Sequence, residues 1–195
     1  RKLNGEVQLF NPPKIRMADD EVLTTNLASM GKDRFDALRH LGPSTPTDFF
    51  PEQLFISGDS LPEEVRLDFK EQFSGVLRDL NGKAPTFHNV KVDDRFASNL
   101  RERFNAIVNA VGNRQGYGIL VLPKERKDGQ KKKLHDALKR KLWNQVQTQC
   151  VSLESILRFY RSEKDRFGEV RWVLNERNRN RYNSFLRFLA LGYLE

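Results

Sequence analysis

The chain has 195 residues, enough for one domain of ordinary size plus an extension and too few for two domains of typical size. Hydrophobic residues make up 38% and charged residues 31%, so the chain can bury a core, and wholesale disorder is excluded. The formal charge is +8, and the whole excess lies in the last 72 residues, which hold 18 basic and 9 acidic residues. This asymmetry is typical of a polyanionic partner such as nucleic acid, and equally of a solvated basic face without a partner.

No apolar run approaches the roughly 18 to 20 residues that span a bilayer, and no signal-peptide pattern opens the chain. The single cysteine, Cys150, cannot form an internal disulfide, which agrees with a reducing compartment. We therefore expect a soluble, cytoplasmic protein with no membrane partner. Since the first residue is Arg1 and the last residues have a helical pattern, we also expect a piece of a longer protein.

Turn-forming residues dominate the first 50 positions, where proline and glycine recur and only residues 34–41 have a helical pattern. We expect residues 1–50 to be an extended linker arm and residues 51–195 to be the domain proper. No element is predicted in the charged stretch 158–181.

From residue 53 onward, strand and helix patterns alternate. The predicted strands are 53–57, 87–92, 117–122 and 149–153. The predicted helices are 63–80, 95–111, 131–146 and 182–195. This alternation predicts an α/β fold, a Rossmann-like parallel sheet flanked by helices, with any ligand beyond the carboxyl ends of the strands. Trp143 and Trp172 are expected to be partly buried in its core.

The segment 124–141 has the highest concentration of positive charge, with nine basic residues against three acidic ones. It joins a strand to the start of a helix, where free amides and the helix dipole favour an anion such as phosphate. His135 and Lys139, spaced i, i+4, share one helix face, so a ring could stack on a base while the ammonium meets a phosphate. A solvated helix face with a surface histidine explains the same pattern.

Three stretches in this order resemble the MID domain of Argonaute proteins. They are residues 118–123 (GILVLP), 134–139 (LHDALK) and 148–151 (TQCV). Residues 38–43 also resemble the linker turn ahead of that domain, and residues 182–195 resemble the helix that leads into the PIWI domain.

The resemblance implies a module that anchors the 5′-phosphorylated end of a small guide RNA or DNA, for nucleic-acid-guided silencing or defence. Because the linker lacks a eukaryotic-looking pattern, we expect a prokaryotic member of the family, and we predict no obligate oligomer. Its partners would be the guide strand and the PIWI domain of the same parent protein. Any nuclease activity would reside in that PIWI domain, which is absent from this chain, so we do not expect an enzyme.

Position by position, the resemblance assigns Lys139 and Gln149 to the 5′-phosphate and His135, where the family usually has tyrosine, to the first base. The second phosphate-binding lysine has no clear match, and Arg187 is the candidate for it. Specificity-loop and backbone contacts fall on Lys124, Arg126, Lys127, Lys131, Lys132 and Cys150. Some members use a Mg²⁺ at the phosphate, and the sequence leaves a metal site open.

Two alternatives remain. Asp93 and Asp94 follow a strand and could hold Mg²⁺ in a Rossmann-like phosphohydrolase or nuclease, although no third acidic partner is evident and capping of a helix from Arg95 explains them better. A generic basic nucleic-acid-binding domain without end specificity is the other alternative. Residues 177–181 could then contact backbone phosphates or form a polar loop.

Overall fold

The structure, a computed structural model, describes residues 14–16, 22–24, 28–41, 53–95, 97–124, 128–164 and 166–194. The chain divides into two compact units, Arg1–Thr47 and Asp48–Glu195. The sequence pattern predicts this division between residues 50 and 51. Within the described residues, no helix is both long and apolar enough to cross a membrane.

The first unit contains two short strands and one helix. Strands β1 (Lys14–Arg16) and β2 (Val22–Thr24) pair in antiparallel fashion, and helix α1 (Met30–Leu41) follows. The sequence did not reveal the strands because three residues are too few to show an alternating pattern. The helix begins four residues before the predicted stretch.

The second unit is built on a four-stranded parallel sheet. Its strands are β3 (Gln53–Gly58), β4 (Phe87–Val92), β5 (Gly116–Leu122) and β6 (Val146–Ser152). Helices α2 (Glu63–Asn81), α3 (Leu100–Val111) and α4 (Asp128–Leu142) connect consecutive strands, and α5 (Leu153–Leu157) and α6 (Arg179–Leu194) follow. The strand order is β4-β3-β5-β6. The predicted Rossmann-like α/β sheet is confirmed.

Helices cover both faces of this sheet and bury two hydrophobic cores. On one face, α2, α5 and α6 pack on alternate strand residues such as Phe55, Ile119 and Val151. On the other face, α3 and α4 pack on Leu54 and Leu120 and their neighbours. Strand β3 is buried along its whole length because both of its faces are covered, which explains its continuous apolar pattern.

In the second unit, two predicted helix boundaries are wrong by four or more residues, and the predicted starts of α4 and α6 are each three residues late. Helix α3 begins at Leu100 rather than at residue 95, because the Asn99 side chain caps it by accepting a hydrogen bond from the Glu102 N–H. Asp93 and Asp94 therefore do not cap α3. Helix α4 ends at Leu142, and Val146 begins β6 instead of continuing the helix. Its spacing of four from Leu142 imitates a helical repeat, while both residues fill the same core.

The charged stretch 158–181 contains a hairpin that the sequence analysis missed. Strands β7 (Tyr160–Lys164) and β8 (Val170–Leu174) pair in antiparallel fashion. Most of their side chains are exposed, so no apolar alternation marks them in the sequence. The hairpin is tied to the core where Tyr160 meets the Tyr182 hydroxyl of α6 at 2.6 Å.

Candidate functional site

A cleft of about 140 Å³ lies beside β6, which is an edge strand of the sheet in the described part of the chain. The end of α4, the first half of β6 and the end of α6 form most of its wall. The lining residues are Tyr117, Lys139, Trp143, Val146, Gln147, Thr148, Gln149, Gly192 and Tyr193. The cleft thus brings together Lys139 and Gln149, two of the residues that the sequence singles out.

The cleft does not lie beyond the carboxyl ends of the strands, where the sequence analysis expects a ligand. Tyr117 and Val146 stand at the beginnings of β5 and β6, and Lys139 lies in the last turn of α4, which runs back against the strands. The start of α4 at Asp128 is about 16 Å away along the helix. The free amides of that helix start therefore do not serve this cleft, so side chains must supply its positive charge.

Lys139 is an exposed ammonium with no counter-charge among the described residues. Leu138 and Leu142 fix the buried stripe of α4, which leaves Lys139 on the solvent side of the helix, facing the cleft. It forms no hydrogen bond or ion pair within the described residues. Lys139 also acts on Cys150: burial raises the pKa of that thiol, and the Lys139 charge opposes this rise. An unpaired cation at a cleft can bind an anion without first breaking an internal ion pair.

Gln149 reaches the same cleft from the other face of β6. Side chains alternate along a strand, so Thr148 and Cys150 face α4 whereas Gln149, like the buried Val151, faces α6. The Gln149 amide lies against Gly192, where a Cβ atom would be 3.5 Å from Gln149 Nε2. The Gln149 side chain has no hydrogen-bond partner within the described residues. Its amide N–H groups are therefore available to a ligand.

Tyr193 fixes the end of α6 beside the cleft. Its hydroxyl donates a hydrogen bond to Gln53 Oε1, and its ring packs edge-on against Phe73. Burial raises the pKa of the Tyr193 hydroxyl, which keeps it a neutral donor. This anchor holds Gly192 in place against Gln149.

Cys150 is half-buried and packs against the core beneath α4. Burial raises the pKa of its thiol, and this effect exceeds the lowering by the Thr148 hydroxyl and by Lys139. A thiol that stays protonated is a poor nucleophile. The Cys150 side chain is not part of the cleft lining.

His135 lies one turn before Lys139 on α4, as the sequence predicts. Its side chain is 34% exposed, and its Nδ1 atom is 3.0 Å from Asp136 Oδ1. The hydrogen bond from His135 lowers the pKa of the Asp136 carboxyl. The ring is not among the residues that line the cleft, but it lies next to the cleft along the helix.

The structure does not bring Arg187 to the cleft. This arginine lines a separate, wider groove of about 630 Å³ between α2 and α6, together with Glu71, Asp79 and Asn183.

The remaining predicted contacts lie partly outside the described residues. Lys124 and Lys132 are exposed. Arg126, Lys127 and the Lys131 side chain fall outside the part of the chain that the structure describes.

The aspartates considered for the enzyme alternative have different surroundings. Asp93 accepts two hydrogen bonds from Arg95, at 3.0 and 3.1 Å, and these lower the pKa of its carboxyl. Asp94 packs so closely on Gly58 that a Cβ atom there would be 2.3 Å from Asp94 Oδ2. Burial raises the pKa of Asp94.

A third carboxylate, Asp59, does lie nearby, at the end of β3. The sequence hides it because α2 separates the ends of the adjacent strands β3 and β4. The guanidinium of Arg95 contacts both Asp59, at 3.2 Å, and Asp93. Within the described residues no acidic, histidine or cysteine side chains are arranged to hold a metal ion.

Trp143 departs from the expectation that it is partly buried. It follows the last residue of α4 and is 66% exposed. Trp172, in contrast, is half-buried against the first core, as expected. The spacing of four from Lys139 is the sequence signal that could have placed Trp143 on the cleft side of α4.

No model of a known protein family matches the chain. No curated protein matches it at a significant level.

Proposed function

We propose that the chain is a guide-strand binding module that holds the 5′-phosphorylated end of a small guide RNA or DNA. One observation carries this proposal. Lys139 of α4 and Gln149 of the edge strand β6, which the resemblance to Argonaute MID domains assigns to the 5′-phosphate, line one cleft.

The chemistry of the cleft suits a terminal phosphate. The Lys139 ammonium can donate charge-assisted hydrogen bonds to phosphate oxygens, and the Gln149 amide can donate neutral ones. None of the described lining residues is acidic, so nothing in the lining repels an anion. The volume of about 140 Å³ is below the roughly 300 to 1,000 Å³ of sites that enclose a whole small molecule. It fits an end group whose remainder lies outside.

Residues outside the cleft can contact the rest of the bound oligonucleotide. His135 lies one turn along α4 and would stack on the first base, as the resemblance implies. Lys132 on α4 and Lys124 after the far end of β5 are exposed cations, about 10 Å or more from Lys139, that would contact backbone phosphates farther along the oligonucleotide without reading its sequence. These contacts leave open both guide types, RNA and DNA.

The described lining does not fit a protein-held Mg²⁺. That ion prefers carboxylate oxygens, and the cleft offers only amide and hydroxyl oxygens beside the Lys139 ammonium. Lys139 supplies the positive charge instead, so the proposal does not involve a metal.

In this proposal the chain positions a guide and does not cut nucleic acid. Cleavage, where it occurs, would belong to a PIWI domain of the same parent protein, in a cytoplasmic silencing or defence complex. The Arg95 guanidinium lies against Asp59 and Asp93, which argues against the phosphohydrolase or nuclease alternative.

The test compares matched oligonucleotides that carry a 5′-phosphate or a 5′-hydroxyl, as RNA and as DNA, in a direct binding titration. We expect tighter binding of the phosphorylated strand. Lys139→Ala should reduce this preference about 10-fold or more, because a hydrogen bond to a charged group contributes about 1.5–3 kcal/mol. Gln149→Ala should reduce it less, since its donor is neutral.

Lys141→Ala is the matched control, since Lys141 is also an exposed lysine of α4 but lies outside the cleft lining. It should weaken both strands slightly and equally, as expected for a general phosphate contact. Equal affinity of the unaltered chain for both ends would contradict the proposal and favour the generic basic domain. Mg²⁺-dependent cleavage that Asp94→Ala abolishes would favour the enzyme.

A further inference from the structure

Trp143 presents a large aromatic surface to solvent at the cleft. The residue is 66% exposed, lines the cleft and makes no ring contact with another residue of the described part. Indole is the largest aromatic side chain, and covering it removes more apolar area from water than covering any other ring. A ligand with a flat face would gain this area on binding.

We propose that Trp143 is a base-stacking residue of the cleft, whose indole holds a nucleobase of the strand whose phosphate lies between Lys139 and Gln149. This inference rests on the proposed function and adds a residue that neither the resemblance nor the periodicity of the sequence assigns. The part of the ligand that the exposed indole recognises is the flat face of a nucleobase.

The charges beside Trp143 favour a nucleotide over an apolar partner. The preceding turn of α4 carries Lys139, Arg140 and Lys141, all exposed. An apolar protein surface laid over Trp143 would also cover the Lys139 ammonium and leave it without a counter-charge. A nucleotide satisfies both groups at once, because its base stacks on the ring while its phosphate meets the ammonium.

Two aromatic side chains flank Lys139 along the chain, and one of them, Trp143, lines the cleft. His135 lies about 6 Å before Lys139 along the axis of α4, and Trp143 follows Lys139 by four residues, directly after the last residue of the helix. The His135 ring is the smaller of the two and is held by Asp136, whereas the Trp143 ring contacts no other ring within the described residues. A 5′-terminal phosphate carries nucleotides on one side only, so the two rings would cover successive bases of the bound end, and Trp143 offers the larger surface.

The chain has two tryptophans, which makes the test direct. In Trp172→Phe, Trp143 is the sole indole, and titration with a 5′-phosphorylated oligonucleotide should quench its fluorescence. Trp143→Ala should weaken binding about 10-fold or more, and Trp143→Phe should retain most of the affinity. Both substitutions replace an exposed side chain, so the thermal unfolding midpoint should not fall and serves as the folding control.

Strands with an abasic first or second nucleotide identify the stacked base. The loss caused by Trp143→Ala should vanish for the strand that lacks that base. The inference is overturned if Trp143→Ala weakens intact and abasic strands equally, or if it weakens neither and Trp172→Phe shows no quenching.

If the inference fails but the chain still prefers a 5′-phosphate and this preference depends on Lys139, the proposed function stands without this inference. The converse result is that the unaltered chain binds 5′-phosphorylated and 5′-hydroxyl strands equally while base-dependent quenching of Trp143 is still observed. That result would reject the proposed function and keep Trp143 as a stacking residue.

Discussion

Gly192 of α6 packs against the side-chain amide of Gln149, and a Cβ atom at position 192 would lie 3.5 Å from Gln149 Nε2. This distance is an ordinary van der Waals contact, so a methyl group fits there and a longer side chain must enter the cleft or displace Gln149. The absence of a side chain at position 192 therefore keeps the cleft open.

Substitutions of Gly192 should separate folding from binding. Gly192→Ala should keep the preference for a 5′-phosphate and stabilise α6 by about 0.5–1 kcal/mol, because glycine is a poor helix former. Gly192→Glu should abolish the preference, because it places a carboxylate beside Lys139. Oligonucleotide titration and urea unfolding measure the two effects. A Gly192→Glu variant that binds like the unaltered chain would show that the phosphate lies elsewhere.

The reactivity of Cys150 should report on Lys139. The Lys139 charge lowers the pKa of the Cys150 thiol against the larger effect of burial. Lys139→Ala should raise this pKa further, so that less thiolate forms at a given pH and alkylation by iodoacetamide slows. The pH profile of alkylation measures the shift. Lys141→Ala is the control and should leave the profile unchanged.

The neighbours Asp93 and Asp94 should affect stability with opposite signs. Burial raises the pKa of the Asp94 carboxyl above its ordinary value of 3.8. The folded state therefore favours the protonated carboxyl, and this contribution to the free energy of unfolding is present below pH 3.8 and is lost as the pH rises through the raised pKa. Asp94→Asn should therefore raise the thermal midpoint at pH 7 and have no such effect below pH 3.8.

Arg95 lowers the pKa of Asp93, so the ionised form contributes stability above pH 3.8 that is lost as the pH falls through the lowered value. Asp93→Asn should lower the midpoint at pH 7, and added salt should shrink the effect because the pair is exposed. Shifts of the same sign for both variants would refute this assignment.

Two glycines of the α2 region should respond oppositely to alanine. Gly82 ends the helix in the left-handed conformation, with φ of 69°, so Gly82→Ala should cost about 1 kcal/mol of unfolding free energy. Gly75 lies within α2 with open space around its missing Cβ, so Gly75→Ala should stabilise the protein by about 0.5–1 kcal/mol. Urea unfolding measures both. Destabilisation by Gly75→Ala would mean that α2 packs more tightly there.

The sequence predicted the elements that bury an apolar face. Strand β4 was placed at its observed bounds because the buried Val90 and Val92 flank the exposed Lys91. Helix α2 was placed because Val65, Phe69 and Phe73 repeat at helical spacing. The β7 and β8 hairpin was missed because its side chains are mostly exposed. The end of α4 was misplaced because a helix and the following strand fill the same core at matching intervals.

Neighbouring residues of the site were predictable from the sequence only where they belong to the same helix. The relation between His135 and Lys139 follows from helical spacing alone. The approach of Gln149 and Gly192 does not, because it depends on how α6 returns to the sheet after a hairpin that the sequence does not show. Asp59 was missed because it follows β3, whereas Asp93 follows β4. These two strands are neighbours in the sheet but are separated by α2 in the chain.

The position of the cleft on an edge strand has a mechanical consequence. Lys139 belongs to α4, which covers one core, and Gln149 faces α6, which covers the other, so the cleft lies at the edge of the sheet between helices of the two layers. An anion bound by both side chains would link α4 to the part of β6 that faces α6. Binding would then slow amide hydrogen exchange in α4 and α6 together, so exchange in α6 would report whether the 5′-phosphate is bound.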